Sequence, residues 1–132
     1  MSSEDKIERY LVRLSLSYEK LDGNSWLIND GEKGLENVVV ISAGPLVIVR
    51  VKVMEIPDNN KKKCELFETL LRLNGSDMIH GAYALEKNSI IMIDTLEGET
   101  MDIEELQASL DAFGLALAQH YKALSQYRIK TN

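Results

Sequence analysis

Between Leu66 and Leu96 the chain sets a short, densely apolar helix pattern before a stop signal and two apolar strand patterns, and few folds accommodate that succession. In the helix, Glu65, Glu68, Thr69 and Arg72 form the polar stripe. Leu66, Phe67, Leu70, Leu71 and Leu73 cover more of its surface than one sheet can use. Asn74-Gly75 supplies the residue types that end helices in the left-handed conformation. Met78 to Leu85 and Ile90 to Ile93 then read as strands joined at Glu86-Lys87-Asn88-Ser89, the second with little alternation, as in a strand covered on both faces. Excess apolar width predicts a second surface to bury, and Leu66, Leu70, Leu73 and Met92 are nominated for a dimer interface.

The flanking patterns place this stretch in the middle of one fold. Ile7, Tyr10, Leu11 and Leu14 follow one helical face, with Ser2 or Ser3 as cap and Glu4 and Asp5 in the first turn, where the helix dipole favours them. After a turn at Asp22-Gly23-Asn24 come three strand patterns: Ser25 to Asn29, the β-branched Leu35 to Ser42, and Leu46 to Met54. In the last of these Val47, Val49, Val51 and Val53 share a face against Ile48, Arg50 and Lys52. Asp102 with Glu105 forms a capping-box signature before the longest helical stripe, Ile103 to Leu124, and Gly114 within it predicts close packing against another element. The order is α-β-β-β-α-β-β-α, an α+β fold in which helices sandwich an antiparallel sheet, with a tail expected to fray from Arg128 to Asn132.

At 132 residues the chain suits a single domain spanning 1–132. Its net charge of -6 repels a phosphate backbone, which argues against nucleic acid as a partner. The lone Cys64 and the charged N-terminus MSSEDKIERY point to a reducing cytoplasm without a signal peptide, and no apolar run approaches the ~18 residues of a membrane span.

Reaction chemistry is not legible. Cys64 lies beside Lys61, Lys62 and Lys63 at a helix start, where a thiol is activated, yet no histidine neighbours it and a half-buried structural cysteine is the commoner case. His80 and His120 lack the further ligands a metal needs. Glu104 and Glu105 belong to a helix cap, and Gly31 and Gly34 precede no phosphate-loop lysine. No catalytic, cofactor-binding or metal site is therefore predicted, and the chain reads as a non-enzyme. Trp26 fits either a core or an interface anchor, and Trp26, Ile28 and Ile48 are the candidates for partner contact. A competing reading places a small-molecule sensor or minor enzyme pocket between the sheet and the last helix, with Tyr83, His80 or Cys64 inside.

The element order, the Ser25-Trp26-Leu27-Ile28 strand, Leu70-Leu71-Arg72-Leu73-Asn74, Gly81-Ala82-Tyr83-Ala84-Leu85 and the helix from Leu106 to Tyr121 together resemble the type III secretion chaperone-like fold, shared by the CesT-like Tir chaperones and the YbjN-like family. The resemblance implies a cytoplasmic bacterial protein that forms a homodimer and binds a protein client or regulatory partner without catalysis. Arg50 and Lys52 depart from that pattern by putting charge on the outer face of a central strand.

Overall fold

Ser2 accepts the Asp5 N–H through its hydroxyl and so starts α1 (Ser3–Arg13), with both carboxylates of the first turn at the positive end of the helix. The computed structural model describes residues 2–128. The expected loose tail falls outside these from residue 129 onward, whereas Arg128 is half-buried and donates to the Val53 carbonyl at 2.9 Å.

After α1 come β1 (Tyr18–Asp22), β2 (Ser25–Asp30), a short 3-10 turn (Gly31–Lys33), β3 (Leu35–Ala43) and β4 (Leu46–Glu55). Then follow α2 (Asn60–Ser76), β5 (Ala82–Glu86), β6 (Ser89–Glu97) and α3 (Ile103–Ser125). Asn59 and Asp102 cap α2 and α3 by accepting the N–H groups of Lys62 and Glu105. The α+β class and the sequence of helices and strands match the expectation, with one strand added. β1, Tyr-Glu-Lys-Leu-Asp, is almost wholly exposed and carries no apolar alternation, because an edge strand with one neighbour needs none.

The strands form one antiparallel sheet in the order β1-β2-β3-β4-β6-β5. Cross-strand partners share a face, so the register sorts the residues. Trp26 opposes Val40, Ile28 opposes Val38, Val40 opposes Val49, and Val51 opposes Met92. All of these join a single buried cluster with Ile7 and Leu11 of α1, Leu66 and Leu70 of α2, and Leu106, Leu110 and Phe113 of α3. Leu27, Val39, Ile41, Ile48 and Ile93 occupy the other face and do not join that cluster. The expectation of a sheet sandwiched between helices is thus corrected: the helices gather on one face, and the β-branched runs are half-covered on the other by neighbouring side chains.

Two glycines permit the closest approaches. At Gly114 a Cβ would lie 2.5 Å from the Lys33 carbonyl oxygen, so α3 meets the loop before β3 through bare backbone, as its position predicted. Gly81 has φ +79° and a Cβ there would lie 2.9 Å from the Ile93 carbonyl oxygen, so the turn into β5 requires glycine for both conformation and space. That turn also delays β5: Met78 to Gly81, expected as strand, form the connection from α2. Asn74-Gly75 does not stop α2 in a left-handed conformation either. The helix continues to Ser76, and Asp77 ends it in the right-handed region.

Candidate functional site

At the β5 edge the main-chain groups of Tyr83 point away from β6, and the Asn74 carboxamide at the end of α2 occupies them. Its Oδ1 accepts the Tyr83 N–H at 2.7 Å and its Nδ2 donates to the Tyr83 carbonyl at 3.1 Å. One side chain thereby supplies the hydrogen bonds of an absent strand. Above it lies a groove of about 260 Å³ between α2 and β5, with Phe67, Leu71, Tyr83 and Leu85 among its walls. Leu71 is 71% exposed and Leu85 54%, far more than apolar residues of a finished core.

Behind the groove runs a polar chain. The Tyr83 hydroxyl meets His120 Nδ1 at 2.7 Å, and His120 Nε2 meets the Asp77 carboxylate at 3.0 Å. The imidazole is buried on α3, whereas Asp77 is exposed at the end of α2. The Ser76 hydroxyl and then His120 hold the Asp77 carboxyl below its ordinary range, and burial pushes the Tyr83 hydroxyl up, so Asp77 is an acceptor and Tyr83 a donor at neutral pH.

The opposite edge differs. The Asn29 N–H reaches the Ser17 carbonyl, which sets the alternation along β1 and turns the main-chain groups of Tyr18 and Lys20 away from β2. Among the described residues no side chain bonds to them. This edge borders the helix-free face, where Leu27, Val39, Ile41 and Ile48 make a half-exposed apolar strip. Arg50 lies beyond Ile48 on the same face and pairs with Glu86 at 2.8 Å, so the charge noted in the sequence is neutralised within the sheet. Lys52 is exposed and pairs with Glu55.

The residues singled out from sequence divide unevenly. Of the partner-contact candidates only Ile48 lies on the helix-free face, because Trp26 and Ile28 are fully buried in the core. Alternation then assigns Leu27, between them, to the outer face, and the register adds Val39 and Ile41. Of the dimer candidates, Leu66, Leu70 and Met92 are spent within the protomer's own core and Leu73 is half-buried, while the exposed apolar residue of α2 is Leu71. A cavity of about 570 Å³ does lie between the sheet and α3, with Val51, Val53, Leu117 and Tyr121 among its walls, but none of the expected residues lines it: Cys64 and His80 are exposed, and Tyr83 belongs to the α2–β5 groove. Cys64 is thus not the half-buried cysteine anticipated. Asn74 and the linkage of His120 to Asp77 and Tyr83 carried no local sequence signal, since their partners lie in other elements.

A family model, CesT_Tir_1, matches residues 1–130. The chain belongs to the CesT_Tir_1 family. Among solved structures it is similar to a chain of the heterodimeric ExoU–SpcU complex of the Pseudomonas aeruginosa type III secretion system, with TM-score 0.68, 15% identity, and coverage of 86% of this chain and 93% of that one. It is also similar to YbjN of E. coli, a putative transcription regulator, at TM-score 0.64 and 10% identity, covering 90% and 91%. The Yersinia pestis secretion chaperone SycH, solved with a fragment of YscM2, matches at TM-score 0.61 and 12% identity, covering 89% and 98%. A search of curated proteins gives no match. Family and fold together make this a secretion chaperone-like protein.

Proposed function

We propose that this chain is a single-domain, homodimeric module of the cytoplasm that binds an extended segment of a protein client without catalysis. The observation that carries this reading is the uncapped edge of β1 beside the helix-free face, on which the apolar strip Leu27, Val39, Ile41 and Ile48 begins one strand in from that edge. An extended segment added to β1 would satisfy the main-chain groups of Tyr18 and Lys20 and place alternate side chains on the sheet face that carries the strip. SpcU with ExoU and SycH with a YscM2 fragment are complexes of two different proteins, which supports a protein client for this relative as well.

The second half of the proposal concerns the other end of the sheet. A second copy of this chain covers the α2–β5 groove, with Leu71, Phe67, Leu73 and Leu85 in contact and Leu66, Leu70 and Met92 supporting them from the core. Asn74 suits that role because its plug prevents the two copies from fusing edge to edge and leaves side chains to make the contact.

Selection of random peptides on the purified protein tests the client site. Expected binders carry alternating apolar residues, slow the amide exchange of Tyr18 and Lys20, and shift the methyl signals of Leu21 and Leu27 more than those of Ile48. Binders that leave both edge amides unprotected would sink the reading. Sedimentation tests the dimer, and a monomer at micromolar concentration overturns it.

A further inference from the structure

Both walls of the α2–β5 groove are tied to the same imidazole. Asp77, which ends α2, accepts from His120 Nε2, and Tyr83, which forms the floor in β5, meets His120 Nδ1. The groove's second tie, Asn74 to the Tyr83 main chain, contains no group that titrates near neutrality.

Donor counting decides the proton positions. An ionised Asp77 can only accept, so Nε2 carries a proton. Tyr83 has no other partner for its hydroxyl among the described residues, so its O–H donates to Nδ1, which must then be a bare lone pair. The ring is neutral in this arrangement. A second proton would enter at Nδ1, the atom that receives the Tyr83 hydrogen bond. The tyrosine oxygen can then accept from Nδ1–H only by turning its own O–H away, into a buried site where no other acceptor lies among the described residues. The bond to Asp77 survives protonation and gains charge assistance. The charged and titratable groups about the ring are Asp77 from the end of α2, Tyr83 from β5, and Arg128 after α3, whose charge is felt at the Tyr83 hydroxyl.

We infer that His120 is a proton-operated latch on the α2–β5 groove: the neutral ring holds both walls, and protonation leaves the Tyr83 O–H without its acceptor and so loosens the β5 wall, which Asn74 still ties to α2, while strengthening the hold on Asp77. The latch adds regulation to the subunit contact proposed above and rests on that reading for its purpose. Its test uses spectra of this chain alone, so a failed latch leaves the dimer standing, and a failed dimer leaves the titration readable.

The experiment is an NMR pH titration of ¹⁵N-histidine, ¹³C-leucine protein in a His80→Gln background, which leaves His120 as the only imidazole. At neutral pH the ring nitrogens should report the Nε2–H tautomer. On acidification the Leu85 methyl signals should move with the imidazole midpoint. Tyr83→Phe should uncouple Leu85 from a ring that still titrates, and His120→Gln should flatten the Leu85 response over the same range. An Nδ1–H or charged ring at neutral pH overturns the latch. So does a Leu85 signal that stays still through the imidazole titration, or one that still titrates in His120→Gln.

Discussion

At β5 a carboxamide from α2 occupies the outward N–H and C=O of Tyr83, whereas at β1 the equivalent groups of Tyr18 and Lys20 have, among the described residues, no side chain upon them. Both strands are five residues long and both close the same sheet. Their surroundings differ in the complementary sense: the plugged edge is flanked by a groove with exposed Leu71 and Leu85, and the open edge by a strip of half-covered aliphatic residues. An unpaired edge invites strand addition, so a fold that closes one and leaves the other restricts an extended partner to a single register-bearing side. Apolar side chains at the closed edge can be covered by a partner, but not by continuing the sheet.

Four measurements would break or sharpen this contrast. Trp26→Ala removes the fully buried indole that lies across from Lys20 of β1, and should destabilise by about 3–5 kcal/mol in urea denaturation. A smaller loss would mean that β1 and β2 are loosely joined to the core. Asn74→Ala should lower stability by about 1–3 kcal/mol, since it strips hydrogen bonds from both main-chain groups of Tyr83. The Tyr83 amide should then exchange with solvent as readily as that of Lys20, and an unchanged exchange rate would remove the distinction between the edges.

Leu71→Glu changes an exposed side chain, so folding stability should stay within about 0.5 kcal/mol. Self-association measured by sedimentation should weaken about tenfold or more, the equivalent of one apolar side chain kept in water. Dimerisation at wild-type strength would locate the subunit contact elsewhere. The smallest effect is electrostatic. The Asn24 N–H and then the Ser25 hydroxyl hold the Asp22 carboxyl at the end of β1 below its ordinary value of 3.8, while Arg50 holds Glu86 at the end of β5 below 4.5. Both groups favour the folded state above those values, and the contribution is lost as pH falls through the lower folded values. Salt at about 0.5 M should raise the Glu86 midpoint in an NMR titration and move Asp22 less, because an ion pair is screened and a local backbone hydrogen bond is not.

Much of this contrast was hidden from the sequence for identifiable reasons. Period-two alternation separates Val47, Val49, Val51 and Val53 from Ile48 and Arg50 correctly, whereas on β2 residue type alone favours Trp26 and Ile28 for partner contact and alternation gives the outer face to Leu27. β1 escaped because a solvated edge strand resembles a polar loop in composition. The apolar excess of α2 was real, yet Leu66 and Leu70 serve the protomer's core while Leu71 alone stands well clear of it. Asn74 looked like a helix stop since its local chemistry is the same whether it turns the chain or reaches a strand nine residues away.

Local chemistry by itself determined the cap at Asp102 and narrowed the first to Ser2 or Ser3, and it determined the α+β order, the close packing at Gly114 and the family resemblance, because each depends on spacing along a few residues. Only the tertiary structure decided which face of the sheet the helices share, which edge is plugged, and that Asp77, Tyr83 and His120 meet. Those outcomes depend on register and on contacts between distant segments, and a one-residue slip in register exchanges the two faces of a strand while leaving its composition untouched.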